Sequence, residues 1–282
     1  MPVEEKNKVI YISHPSGSTA EVALYGATVT SWKVAGIERL FVSKEAIRDG
    51  SKAIRGGIPL VFPIFGTKEN IQLPQHGFAR NSYWEFVGVI HDNNEEVSVR
   101  FTLKDTQLES KLRNGWPYSF RLTYTVTLGE KSINTVLGLK NEDEDTFEFN
   151  TLLHTYFNAP NIADVTVDGL KSLNFIDKVA NGIKELETRD QVTIHSEVDR
   201  IYCNVPNHLQ VNFGKDYSIS IEKTGLKDTV VWNPWIEKSK AMGDFDNEEY
   251  HNMICVEVGS VADWVKLGGG ESWTGGQTLC VL

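Results

Sequence analysis

His154 lies in the stretch Asn150-Thr-Leu-Leu-His-Thr-Tyr-Phe157, which has the apolar and aromatic character of a buried β-strand. An imidazole in such surroundings loses its hydration and must find hydrogen-bond partners. A core histidine with satisfied hydrogen bonds is one interpretation. A general acid or base is the other, because histidine changes its charge close to neutral pH. Strand alternation places His154 on the same face as Asn150 and Glu148, and we interpret that face as a polar cleft.

Glu257 is the one charged residue in the apolar run Asn252-Met-Ile-Cys-Val-Glu-Val258. Such a run is typical of a strand that is buried on both faces, and glutamates are rarely buried without a partner. Burial raises the pKa of a carboxyl group and a neighbouring cation lowers it, so Glu257 is a candidate base with a tuned pKa. A structural ion pair with an arginine is the alternative.

Residues 55–84 combine Gly and Pro with a dense set of polar side chains, namely Arg55, Gln75, His76 and Arg80. Loops on a rigid scaffold often carry binding residues. Two guanidinium groups are the expected means of holding a phosphate through paired hydrogen bonds. A surface ion pair is the commoner fate of a single arginine, but the clustering of these side chains favours a sugar-phosphate site.

Asp199, in Ser196-Glu-Val-Asp-Arg-Ile-Tyr202, is a weaker candidate because it is one of several acids in a polar segment. None of the seven histidines has the spacing of a metal-binding motif such as HExxH. We therefore predict neither a metal nor a cofactor.

The elements that must position these residues are predominantly strands. Apolar and polar residues alternate with period two over residues 20–24, 97–103, 120–128 and 217–221. Helical patterns are confined to Asp105–Leu112 and to a turn or two within Glu237–Phe245. We predict an all-β fold, with residues 1–282 in one domain, in which many long antiparallel strands form two stacked sheets.

Composition narrows the class of protein. The net charge of -10 argues against nucleic-acid binding, although a few arginines can still form a local positive pocket. Three widely spaced cysteines indicate neither a disulfide framework nor a zinc site. We expect no signal peptide and no membrane span, because no apolar segment is long enough for either. A monomer in the cytoplasm is the expectation that follows.

Several segments together resemble the galactose mutarotase superfamily, and within it the hexose-6-phosphate mutarotases, also called glucose-6-phosphate 1-epimerases. The matching segments span nearly the whole chain. They are Tyr25-Gly-Ala-Thr28, Arg55-Gly-Gly-Ile-Pro59, Pro74-Gln-His-Gly-Phe-Ala-Arg80, His154-Thr-Tyr-Phe157, Val231-Trp-Asn-Pro-Trp235 and Glu257. The strings around residues 74–80 and 232–235 are specific to the subgroup.

This resemblance implies a β-super-sandwich and an enzyme that interconverts the α and β anomers of a hexose 6-phosphate, most simply glucose 6-phosphate. By the family pattern, His154 is the general acid and Glu257 is the general base. The family's substrate-binding positions are matched by Arg55, Gln75, Arg80 and Asp199. His76 is assigned as a further substrate contact, since free-sugar members of the superfamily use a second active-site histidine.

Three other functions remain open from the residues alone. A glycoside hydrolase needs two carboxylates, for which Asp199 and Glu257 are available. A carbohydrate-binding module without catalysis is favoured in part by the seven tryptophans. A free-hexose epimerase would differ only in the role of the arginines.

Overall fold

The computed structural model describes residues 2–282, and strands account for most of its regular structure. In chain order, the 22 strands of this range are β1 (Val3–Lys6), β2 (Val9–Ser13), β3 (Thr19–Ala23), β4 (Thr28–Val34), β5 (Ile37–Glu38), β6 (Leu60–Val61), β7 (Glu85–Asp92), β8 (Glu96–Lys104), β9 (Phe120–Gly129), β10 (Ser132–Asn141), β11 (Phe147–Leu153), β12 (Tyr156–Asn158), β13 (Val165–Asp168), β14 (Asn174–Asp177), β15 (Ile183–Leu186), β16 (Gln191–Thr193), β17 (Val198–Tyr202), β18 (His208–Phe213), β19 (Ser218–Thr224), β20 (Asp228–Asn233), β21 (Met253–Leu267) and β22 (Ser272–Val281).

The strands form three antiparallel sheets. A nine-stranded sheet has the order β16-β13-β18-β19-β22-β10-β9-β8-β7, and an eight-stranded sheet has the order β15-β14-β17-β20-β21-β11-β6, with β12 also paired to β21. Strands β1 to β5 form a third sheet in sequence order. The all-β prediction is confirmed, whereas the prediction of two sheets missed this five-stranded one.

Alternation along the strands explains why the two large sheets stack. On β9 every second residue from Phe120 to Leu128 is buried, and the intervening residues are partly or fully exposed. Aromatic contacts join the two sheets: the ring centroids of Phe149 and Trp273 are 5.3 Å apart, and those of Phe157 and Phe213 are 6.1 Å apart. These interdigitated inner faces form the core of a sandwich.

The eight-stranded sheet also carries apolar side chains on its other face. On β21, Ile254 and Val256 belong to the core between the sheets. Their neighbours Met253 and Cys255 join a second, smaller apolar cluster that includes Tyr156. This sheet is therefore buried on both faces over part of its area, as the apolar run around Glu257 predicted.

Helices are short and few, as expected, but their bounds differ from the predicted ones. The segment predicted as Asp105–Leu112 divides into a 3₁₀ turn and helix α1 (Ser110–Gly115). The second predicted segment begins earlier, as helix α2 (Trp235–Ala241). The 3₁₀ helices are Ala79–Asn81, Asp105–Gln107, Ile162–Asp164 and Glu249–Asn252.

None of the helices between residues 2 and 282 has the length and apolar character that crossing a bilayer requires. The main apolar cluster takes side chains from Ile10 near one end of the chain to Val281 near the other. The division of the chain into a single domain stays a prediction.

Gly77 supports the loop that presents the polar residues 75–80, and its substitution tests that support. Its φ is +75°, and a Cβ there would lie 2.1 Å from the carbonyl oxygen of Phe62. We expect Gly77→Ala to lower the free energy of unfolding by more than about 1 kcal/mol in chemical denaturation, because a side chain in this conformation is strained. The matched control is Gly270→Ala, whose φ is +71° and whose Cβ would meet no heavy atom within 4 Å among residues 2–282. Equal losses for the two variants would contradict the importance of the contact with Phe62.

Candidate active site

A cleft of about 220 Å³ opens on the second face of the eight-stranded sheet. This volume is below the roughly 300–1,000 Å³ of pockets for drug-sized ligands, so the cleft suits one small ligand. The lining residues are Arg55, Phe65, Gln75, His76, Arg80, His154, Lys178, Asp199, Val230, Trp232, Lys238, Met242 and Glu257. All seven residues that were predicted from the sequence therefore lie around a single cleft.

Strand register explains why these distant residues meet. Asp199 on β17 lies opposite Trp232 on β20, and Trp232 lies opposite Cys255 on β21. In the next row of the same face, Glu257 lies opposite Val230. Because side chains alternate between faces, Asp199, Trp232, Val230 and Glu257 line the cleft, while sequence neighbours such as Val256 enter the core.

His154 and Glu257 contact each other directly. The imidazole Nδ1 lies 3.4 Å from Oε1 of Glu257, and both side chains are at least nine-tenths buried. The ring of Tyr156 stacks on His154 with a centroid distance of 4.7 Å and an interplanar angle of 9°. A backbone hydrogen bond from His154 to the carbonyl of Pro59 adds to this positioning. The result is an imidazole–carboxyl contact with a defined orientation.

Burial favours the neutral form of each member of this pair. It lowers the pKa of His154 well below the usual value, and the charges of Arg80 and Arg55 lower it further. Burial raises the pKa of Glu257 well above the usual value, and the neighbouring Asp199 contributes in the same direction. Burial thus acts on the two groups in the direction of a neutral imidazole and a protonated carboxyl group.

Arg55 is an arginine whose charge the protein itself compensates. Its Nη2 donates to both carboxylate oxygens of Asp244, at 3.1 and 3.3 Å, and its Nη1 donates to Tyr156 Oη at 3.4 Å. Burial alone would lower the pKa of Arg55, but Tyr156 and Asp244 outweigh this effect and raise the pKa. Lys52 also lies 3.0 Å from Asp244.

Arg80 differs, because residues 2–282 place no carboxylate within salt-bridge distance of its guanidinium. Its Nη2 donates to the backbone carbonyl of Gln75 at 3.1 Å, and its Nε is buried without a hydrogen-bond partner in this part of the chain. Burial lowers the pKa of Arg80 to about 10. The cleft therefore contains a half-buried cation that lacks a carboxylate partner in residues 2–282, and an anionic ligand would satisfy it.

His76 is held as a neutral hydrogen-bond donor. The backbone N–H of Gly66 donates to Nδ1 of His76 at 3.1 Å, so the ring proton must be on Nε2. Burial lowers the pKa of His76 well below its usual value, and Arg80 lowers it further. Since Gln75 lies alongside, with its Nε2 3.4 Å from Nε2 of His76, the two side chains present polar groups to the same part of the cleft.

Sequence reasoning missed Lys178, whose Nζ lies 3.1 Å from Oδ2 of Asp199 and 5.1 Å from the ring centroid of Phe65. It also assigned no role to Tyr156 or Asp244. Tyr156 could have been found from the sequence, because it lies two residues after His154 in the same motif. Lys178 and Asp244 could not, because they stand in polar segments that resemble ordinary surface.

The expectation of a polar cleft shared by His154, Asn150 and Glu148 is wrong. Asn150 donates hydrogen bonds to the carbonyls of Ser260 and Asp263, where the register between β11 and β21 shifts. Glu148 is exposed and borders a different groove. The shared face is interrupted because the apolar Leu152 lies between Asn150 and His154.

Only one group of at least three potential metal ligands occurs among residues 2–282, and it consists of His154, Cys255 and Glu257. Cys255 and Glu257 alternate on one strand, and His154 is far from both in sequence. No metal-binding motif spacing therefore reveals the group. No cofactor-binding motif accompanies the group, and the prediction that the reaction needs no metal or cofactor stays a prediction.

Comparisons with known proteins identify the family. A family model described as aldose 1-epimerase matches residues 8–280. A candidate glucose-6-phosphate 1-epimerase of Cenchrus ciliaris is 38% identical over 270 residues, which cover 91% of this chain and 79% of the relative. A second candidate with the same description, from Escherichia coli strain K12, is 33% identical over 261 residues and covers 92% and 85% of the two chains.

A solved structure supports the same relationship. The crystal structure of a candidate mutarotase, YeaD, from Salmonella typhimurium matches 99% of this chain and 92% of its own with a TM-score of 0.89 and 29% identity. The fold and the sequence thus lead to one family over nearly the whole length. The chain belongs to the aldose 1-epimerase family.

Proposed function

We propose that this protein interconverts the α and β anomers of a hexose 6-phosphate, with glucose 6-phosphate as the favoured substrate. The observation that carries the proposal is a buried His154–Glu257 pair in the same cleft as Arg80, a cation without an anion. The pair can transfer protons to and from the sugar, and Arg80 can bind the phosphate group of the substrate. Relatives with 38% and 33% identity are described as candidate glucose-6-phosphate 1-epimerases, which supports the same substrate.

The reaction needs a single proton on the catalytic pair. Glu257 removes the proton of the C1 hydroxyl while His154 protonates the ring oxygen, so the C1–O5 bond breaks and an aldehyde forms. After rotation about the C1–C2 bond, the two residues act in reverse and close the ring on the other face of the aldehyde. Each half-reaction moves the proton from one residue to the other, and a full cycle restores the pair.

Substrate binding prepares His154 to act as the acid. In the cleft without substrate, Arg80 is among the charges that lower the pKa of His154. A phosphate dianion bound to Arg80 offsets that positive charge and favours the imidazolium. Ring opening then requires the single proton of the pair on His154 and a carboxylate on Glu257, although the phosphate also offsets the effect by which Arg80 lowers the pKa of Glu257.

The other predicted residues bind and orient the sugar. Arg55 is fixed by Asp244 and offers its remaining N–H groups to the phosphate or to a neighbouring hydroxyl. Gln75 and His76 donate hydrogen bonds to hydroxyl oxygens, and Asp199, held by Lys178, accepts them. Binding at both ends of the hexose fixes C1 beside the catalytic pair.

A monomer in the cytoplasm completes the proposal. The cysteines Cys203, Cys255 and Cys280 are free thiols, which supports a reducing compartment. Neither the oligomeric state nor the location is needed for the chemistry, because all proposed catalytic and binding residues come from one chain.

The variant Glu257→Gln tests the role of the base. We expect it to reduce the rate of exchange between the anomers of glucose 6-phosphate by about 10²–10⁴-fold, because an amide cannot accept the proton. Exchange NMR measures this rate directly, and binding of the sugar phosphate should persist. The matched control is Glu222→Gln, which alters an exposed His208–Glu222 pair whose Nδ1 to Oε1 distance is 2.5 Å. Wild-type exchange in Glu257→Gln would contradict the assignment.

The variant Arg80→Met tests the phosphate. A hydrogen bond to a charged group contributes about 1.5–3 kcal/mol, so we expect kcat/KM for glucose 6-phosphate to fall about 10- to 100-fold. Activity on unphosphorylated glucose should be retained or rise, because the variant removes a charge that lowers the pKa of His154, so the preference for the phosphate is lost. Arg100→Met on the outer face of β8 is the control, since Arg100 is exposed. An equal loss on glucose and on glucose 6-phosphate would favour a free-hexose epimerase.

A further inference from the structure

Three side chains with metal-binding atoms meet beside the cleft: His154 and Glu257 line it, and Cys255 is fully buried next to them. Their ligand atoms, which are a ring nitrogen, a thiol sulfur and a carboxylate oxygen, all lie within 4.8 Å of one another. His154 and Glu257 line the cleft, so solutes that enter it reach this group. The proposed reaction uses the imidazole and the carboxylate but leaves the buried Cys255 thiol without a role.

Two atoms of the group make no hydrogen bond in the described part of the chain, although one of them, Nδ1 of His154, lies 3.4 Å from Oε1 of Glu257. Nδ1 of His154 and Oε2 of Glu257 are buried and make no hydrogen bond within residues 2–282. The side chains of these residues are only 9% and 2% exposed, respectively. Buried polar atoms are nearly always hydrogen-bonded or bound to an ion, so unpaired atoms that converge on one point indicate a place for a ligand.

We propose that His154, Cys255 and Glu257 bind Zn²⁺, and that zinc bound there inhibits the epimerase. An imidazole nitrogen, a thiolate sulfur and a carboxylate oxygen are the three donor types that zinc prefers, and three protein ligands leave its fourth position open. Donor atoms around tetrahedral zinc are about 3.5 Å apart when the bonds measure about 2.0–2.3 Å. Small side-chain rotations therefore bring the three atoms into range.

Charge balance favours the same metal. One thiolate and one carboxylate neutralise a dication, while the imidazole adds no charge. Among the cations nearby, Arg55 is compensated by Asp244 and Lys178 lies against Asp199, whereas Arg80 has no carboxylate partner in residues 2–282 and opposes the dication. Thiolate and imidazole ligands select zinc over magnesium, which prefers oxygen ligands.

Inhibition follows from the identity of the ligands. Zinc occupies the lone pairs with which His154 and Glu257 would move protons, so the pair cannot act on the sugar. The inhibition rests on the proposed epimerase function, whereas zinc binding itself does not. The two parts therefore need separate measurements.

The inhibition is tested by exchange NMR on glucose 6-phosphate at buffered free zinc concentrations, with magnesium as the control metal. The test variants are Cys255→Ala and the isosteric Cys255→Ser, which leave His154 and Glu257 in place. Cys203→Ala is the matched control, since Cys203 is a free thiol away from the cleft. We expect zinc to inhibit the wild type and Cys203→Ala. The Cys255 variants should need at least about tenfold more zinc for the same inhibition. Even the loss of a residue that only hydrogen-bonds to a metal ligand lowers metal affinity about 10–100-fold.

Binding is measured independently with Co²⁺ as a spectroscopic substitute for zinc. A thiolate-to-cobalt charge-transfer band should form in the wild type and in Cys203→Ala and be absent from Cys255→Ala. Equal zinc sensitivity of the wild type and Cys255→Ala, or a cobalt band that is absent from the wild type, would overturn the proposal. If no protein exchanges the anomers at all, the epimerase proposal fails, and the cobalt band still decides the metal site.

Discussion

The first nine residues of strand β21, Met253 to Val261, are buried on both faces, and the site depends on this constraint. One face packs Ile254 and Val256 into the core between the large sheets, and the other carries Cys255 and Glu257 towards the cleft. Shielding from water on both sides moves the pKa of Glu257 upwards and that of His154 downwards. The same fold that positions the pair therefore also sets its proton affinity.

The arginines of the cleft differ in how their charge is balanced. Arg55 is bound by Asp244, whereas Arg80 is held by a backbone carbonyl and has no carboxylate partner among the described residues. An uncompensated buried cation is unfavourable by itself, so a bound anion stabilises it. In the proposed function, this contrast makes Arg80 the main phosphate contact and Arg55 a rigid secondary one. The proposal links substrate choice to catalysis because the charge of Arg80 also lowers the pKa of His154.

Much of this site was predictable from the sequence. Alternation predicted the strands, the isolated charge in an apolar run identified Glu257, and a polar loop between strands identified Arg80 and its neighbours. The partners were not predictable, because they depend on long-range register. Asp244 lies 189 positions after Arg55, and no local pattern joins the two. The approach of Cys255 to His154 likewise follows from the pairing of β12 with β21.

A crystal structure of the Glu257→Gln variant with glucose 6-phosphate tests the central claim most directly. The account predicts that the phosphate contacts the guanidinium of Arg80 and that C1 and the ring oxygen lie between His154 and residue 257. A sugar bound in the opposite direction, with its phosphate away from Arg80 or its C1 away from His154, would contradict the account.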